Sequence, residues 1–169
     1  MVFAREIPAV CCGMVCACCE NSFINGKERG MPSFETSEKI RKEIIESGVD
    51  DRYKIGAYEF VLNGLHFYVS KIGEHRHVSG RELSKGLLLF AHKQYGPMAK
   101  SVFDFWGLAT TDDIGYVVYN MIRIGLMSKK PWDSLDDFLD VTDVPAFFES
   151  ASPEYFEIDR DFIKKVKNA

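Results

Sequence analysis

The sequence predicts a mainly α-helical fold, a single compact multi-helix domain of five or six short helices. Three observations carry this. Apolar residues recur at helical spacing through most of the chain. Five periodic segments close on glycine, at Ser47-Gly48, Ile72-Gly73, Tyr95-Gly96, Trp106-Gly107 and Ile124-Gly125. Glycine just past a helix end turns left-handed without a Cβ penalty. The length of 169 residues fits one domain at about 150 residues per domain.

The elements follow in order. The first helix is expected over Ser33–Ser47, with Ile40, Ile44 and Ile45 inward. The second is expected from Ala57 to Lys71. Its stripe of Tyr58, Val61, Leu62, Leu65, Tyr68, Val69 and Ile72 leaves Glu59, Asn63, His66 and Ser70 opposite. The third starts at Ser79, where Ser79-Gly80-Arg81-Glu82 has the spacing of a capping box. Leu83, Leu87, Phe90, Ala91 and Gln94/Tyr95 continue its buried side. Gly96-Pro97 breaks the chain, and Pro97 suits the first position of a fourth helix. Met98, Val102, Phe105 and Trp106 are expected to give that helix its inward face.

The fifth helix follows Thr110-Thr111-Asp112-Asp113, whose hydroxyl and carboxylate groups suit a cap and the positive end of the helix dipole. Ile114, Val117, Val118, Met121 and Ile122 should pack inward. Leu126–Pro131 reads as a linker, with room for a small β hairpin in winged-helix-like fashion. A short acidic helix is expected over Ser134–Leu139. Residues 31–150 form the helical domain. The aromatic tail 151–169 is expected to pack on it.

Residues 1–30 read differently. All five cysteines (Cys11, Cys12, Cys16, Cys18 and Cys19) lie here. They are too crowded for zinc, whose ligand pairs are separated by a dozen or more residues. The apolar stretch Ile7–Cys19 lacks a convincing basic flank or cleavage site for a secretory signal. Clustered cysteines near an N-terminus also suit acylation, on a weak signal. The segment is expected to be disordered or a mis-assigned start. Lys27-Glu28 can be encoded as a ribosome-binding sequence, with Arg29-Gly30 as spacer before Met31.

Composition excludes several classes. Hydrophobic residues are 46% and charged residues 27%, which excludes a disordered, collagen-like or coiled-coil chain. No apolar run reaches the roughly 18–20 residues of a membrane helix. The net charge of −4 disfavours nucleic acid as a partner.

The candidate functional cluster is His75, Arg76, His77, Ser79, Arg81, Glu82, Lys85 and His92. Arg81, Lys85 and His92 share one side of the third helix, a modest basic patch with Lys71 and Lys93 nearby. His77 reads as a loop tether more readily than a metal ligand, because no other ligand spacing accompanies it. An enzyme or metal site around His75, His77, Glu82 and His92 is the less favoured reading. No nucleophile elbow or Gly-rich phosphate loop is present. The run Asp133, Asp136, Asp137, Asp140 and Asp143 lacks calcium-loop alternation and reads as a solvated acidic face. No cofactor is implied. Trp106 and Trp132 are the candidate interaction aromatics.

Three runs carry a resemblance: Arg76-His77-Val78-Ser79-Gly80-Arg81-Glu82-Leu83, Tyr95-Gly96-Pro97-Met98-Ala99-Lys100 and Trp106-Gly107-Leu108. So do Thr111-Asp112-Asp113-Ile114-Gly115, Asn120 and Gly125-Leu126-Met127. Over Phe34–Phe148 the chain resembles a family of small bacterial proteins found mainly in planctomycetes, verrucomicrobia and their relatives. The resemblance implies a start near the first helix. It brings no established activity, cofactor or catalytic residue. The expected function is a non-enzymatic protein-interaction or regulatory domain in the cytoplasm, with a protein partner or self-association. A winged-helix-like nucleic-acid binder using Arg76, Arg81, Lys85 and Lys93 is the alternative.

Overall fold

A computed structural model describes residues 33–72 and 78–150. The expectations for residues 1–30 and for 151–169 lie outside the described residues. Six α-helices are present among the described residues: α1 Phe34–Ile40, α2 Ile55–Ile72, α3 Gly80–Tyr95, α4 Ala99–Trp106, α5 Thr111–Arg123 and α6 Val144–Ser150. Two 3-10 turns, Gly96–Met98 and Leu135–Phe138, join them. The mainly helical class read from the sequence is the class observed.

Helix α1 begins where Ser33 Oγ accepts from the Thr36 N–H at 3.2 Å. It widens into a π turn over Arg41–Ile45, closed by the Glu46 N–H on the Arg41 carbonyl at 2.8 Å. Ile40 and Ile44 are fully buried. Ser37 donates to Glu59 Oε1 at 2.7 Å, which ties α1 to α2.

Helix α2 is the centre of the domain and packs on α1, α3, α4 and α5. Tyr58, Val61, Leu62, Leu65 and Tyr68 are buried as its periodicity predicts, and Ala57 and Phe60 widen the buried side. A helix packed by four neighbours buries more than one stripe.

Helices α2 and α3 interlock through glycines. A Cβ on Gly64 would collide with Leu87, and one on Gly86 would lie 2.7 Å from the Tyr68 ring. Each helix thus seats a large side chain of the other over a bare backbone. The capping box at the start of α3 is formed as read: Ser79 Oγ accepts from the Glu82 N–H and Glu82 Oε2 accepts from the Ser79 N–H, each at 3.3 Å.

Helix α4 corrects the sequence reading. Ala99 and Phe103 are its buried residues, and Trp106 is half-buried. Met98 and Phe105 point outward, 62% and 71% exposed. The rotation is set by Trp106, whose ring packs against Phe60 at 5.3 Å and Tyr95 at 5.7 Å. Gly107 ends α4 at φ +84°, where a Cβ would also collide with the Arg52 carbonyl. Leu108 then bonds back to Phe103 at 2.9 Å, a Schellman-type closure.

The acidic run is exposed at Asp136, Asp140 and Asp143, as expected, and less so at Asp137 and Asp133. Asp133 is buried, Asp137 accepts from the Ser134 N–H at 3.0 Å, and Asp143 accepts from the Ala146 N–H at 2.9 Å. These carboxylates cap turns. The predicted acidic helix is the 3-10 turn Leu135–Phe138, and it delivers Phe138 into the core. A Cβ on Gly80 or Gly115 would stand 2.6 or 2.8 Å from Phe138. The ring therefore wedges between the starts of α3 and α5. Leu126 and Met127 are buried. No helix among the described residues is long and apolar enough to cross a membrane.

Candidate functional site

The predicted cluster around α3 does not assemble into one site within the described residues. His75, Arg76 and His77 lie outside them. Ser79 and Glu82 are engaged in the capping box. Arg81 is exposed and Lys85 half-buried, but His92 is buried, 8% exposed. The three share a helix side, yet burial deepens along α3 and removes His92 from the basic patch. Among the described residues, no group of three His, Cys, Asp or Glu is placed to hold a metal ion. Cys11, Cys12, Cys16, Cys18 and Cys19 lie outside them.

A different polar cluster is present, built on the loop between α1 and α2. Asp50 Oδ1 accepts from the Arg52 N–H at 3.2 Å and Nε at 2.9 Å. Its Oδ2 accepts from Arg52 Nη2 at 2.8 Å and from Asn120 Nδ2 at 2.9 Å. Asn120 also donates to the Tyr58 hydroxyl at 3.2 Å. One residue further along the loop, Tyr53 donates to Asp113 Oδ1 at 2.8 Å. The other Asp113 oxygen accepts from the N–H groups of Ala109 and Thr110 at 2.9 Å and from the Thr110 hydroxyl at 3.1 Å. The Arg52 guanidinium lies over the rings of Tyr116 and Tyr53, 4.6 and 4.9 Å from their centroids.

The electrostatics follow the contacts. Hydrogen bonds from Arg52 hold the Asp50 carboxyl below its ordinary range, against the opposing effect of burial, and Asn120 adds to the lowering. Burial pushes the Tyr58 hydroxyl up to about 12. Burial, reinforced by the bond to Asp113, raises Tyr53 as well.

The chemistry of this cluster is that of a clip. A carboxylate offers about four lone-pair sites. Asp50 accepts four bonds, two on each oxygen, and Asp113 accepts four, one on Oδ1 and three on Oδ2, so each carboxylate is held by its neighbours. Sequence reading took Asp113 as a cap only and did not single out Asp50 or Arg52. The available signal was the short Asp-x-Arg spacing, which suits a side chain bonding the backbone two residues on.

The two tryptophans separate. Trp106 belongs to the core edge, in contact with Phe60, Tyr95 and Phe103. Trp132 is 68% exposed and stands on a fixed turn. The buried Asp133 makes that turn: its Oδ2 accepts from the Lys130 N–H at 2.7 Å, and its own N–H donates to the Lys130 carbonyl at 3.0 Å. Tyr119 and Lys129 donate to the Asp133 carbonyl at 3.2 and 3.3 Å. Pro131 occupies the second turn position, which its fixed φ favours. The Lys130 ammonium lies 5.2 Å from the Trp132 ring centroid.

Comparison with protein-family models, curated proteins and solved structures finds no match.

Proposed function

We propose that the protein is a non-enzymatic interaction module that recognises a protein partner. The observation that supports this reading is Trp132, a large aromatic held outward by a turn whose backbone and buried carboxylate are fixed. Rigid, exposed tryptophans are the side chains that anchor interfaces, because little freedom is lost when they are covered. Both carboxylates of the polar cluster are tied down by hydrogen bonds from neighbouring elements, which suits a scaffold for that surface.

The test is affinity capture with the full chain and with Trp132→Ala. Trp132→Ala should retain its thermal midpoint and lose partners that the parent chain retains. Identical captured sets from the two chains would overturn the reading. A second reading, nucleic-acid binding, draws on Lys129 and Lys130 beside Trp132, since stacking on an aromatic contributes about 1–3 kcal/mol per base. Salt-dependent quenching of Trp132 by an oligonucleotide would favour it.

A further inference from the structure

Helices α2 and α3 carry their charge unevenly. They hold Lys71, Arg81, Lys85 and Lys93 against Glu59 and Glu82. Both acids are engaged: Glu59 accepts from Ser37 of α1, and Glu82 accepts from the Ser79 N–H. In a chain of net charge −4, this pair of helices is a cationic region. Two of its lysines converge. Lys71 of α2 and Lys93 of α3 place their ammoniums 5.7 and 5.0 Å from the centroid of one ring, that of Phe67. Both lysines are exposed, and neither forms an ion pair among the described residues. Phe67 is half-buried. It is backed by Phe90 at 5.0 Å, which stacks in turn on the core ring of Phe60 at 5.4 Å.

We propose that the α2–α3 surface centred on Phe67 docks an acidic segment of a protein partner. This inference rests on the reading of the protein as an interaction module, and adds a second contact surface together with the chemistry of what it meets. Three observations point to an acid. Lys71 and Lys93 border one ring, so a carboxylate placed beside it draws on both ammoniums, and the repulsion between two like charges is relieved by an anion between them. The acids of the two helices are held by Ser37 and by the cap, so neither neutralises the lysine pair. The ring is fixed from beneath by Phe90, so an apolar side chain next to the acid covers a surface that loses little freedom on binding. A protein is favoured over a nucleic acid as the source of that charge. A base stacking on Phe67 in the usual way would have to displace a lysine or Phe90 from the ring. Tight binding to nucleic acid also needs many phosphate contacts, and the convergent pair supplies few. Attraction of this kind favours rapid, salt-sensitive encounter more than high affinity.

The experiment is fluorescence anisotropy of labelled poly-L-glutamate titrated with the full chain, with labelled oligo-dT as the rival probe. Poly-glutamate should bind, and more weakly as salt rises. Lys71→Gln and Lys93→Gln should each weaken binding about threefold, and the double variant about tenfold. Their thermal midpoints should be nearly unchanged, because both side chains are exposed. Lys42→Gln removes an exposed lysine that pairs with Glu38 at 3.7 Å, and should leave binding as it was. Absence of poly-glutamate binding overturns the proposal. So does an equal loss in Lys42→Gln, the mark of a general attraction for polyanions. Tighter binding of oligo-dT, lost in the double variant, also overturns it and assigns the surface to nucleic acid. If poly-glutamate fails while Trp132-dependent capture persists, the acidic docking surface falls and the interaction reading stands. If the lysine variants weaken poly-glutamate while Trp132→Ala captures the same set as the parent chain, the docking surface stands and Trp132 loses its role.

Discussion

Asp50 and Arg52 are unequal partners in the clip that joins the α1–α2 loop to α5. The Asp50 side chain is 7% exposed and that of Arg52 is 53% exposed. Removing the buried partner strands the donors of both Arg52 and Asn120, whereas removing the half-exposed one lets water take its place. Asp50→Ala should therefore cost about 2–3 kcal/mol and Arg52→Ala about 1 kcal/mol or less, measured by urea unfolding. Equal costs would remove the clip from the account of stability. The pH dependence has a definite sign. The folded Asp50 carboxyl titrates below its ordinary value of 3.8, so the unfolded chain binds the extra proton in between. The stabilisation is present above that value and is lost as pH falls through the folded value. A plot of thermal midpoint against pH should have a shallower acid limb in Asp50→Asn than in the parent chain.

At the scale of elements, the two left-handed glycines after α4 and α5 differ in what surrounds them. Gly107 and Gly125 have φ of +84° and +72°. A Cβ on Gly125 meets nothing within 4 Å among the described residues, and one on Gly107 meets the Arg52 carbonyl. Gly125→Ala should cost about 1–2 kcal/mol for the backbone conformation alone. Gly107→Ala should cost a further ~1–3 kcal/mol from the collision. Chemical denaturation of the two variants gives the comparison, and equal losses would show that the α1–α2 loop yields freely.

The same helices mark what was legible in the sequence. The capping box of α3 was legible because its partners, Ser79 and Glu82, are three residues apart. The stripe of α2 was legible because one face dominates it. The buried side of α4 was not, because Met98-Val102-Phe105 and Ala99-Phe103-Trp106 both satisfy helical spacing. Only the rings of Phe60 and Tyr95, from other helices, choose between them. The polar clip was illegible for a related reason: Asn120 lies 70 residues from Asp50, and no local pattern records that pairing. The sequence offered Trp106 and Trp132 alike as interaction aromatics; that Trp132 is the exposed one depends on a turn built on the burial of Asp133, which no local pattern records.

For the whole molecule, the order of elements along the chain sets the order in which contacts can close. The α2–α3 interlock joins neighbouring helices, whereas Phe138 must return from beyond α5 to reach Gly80. Contacts that close long loops are costly until the surfaces they join exist. Phe138 is therefore expected to act as a late bolt, thrown after α3 and α5 have met. Phe138→Ala should lower stability by about 3–5 kcal/mol and do so mainly by accelerating unfolding, with the refolding rate nearly unchanged. Stopped-flow chevrons would show this as a raised unfolding arm. A matching fall in the refolding arm would place Phe138 in the nucleus instead. The wedge between two bare glycines thus governs how long the native state lasts, more than how fast it is reached.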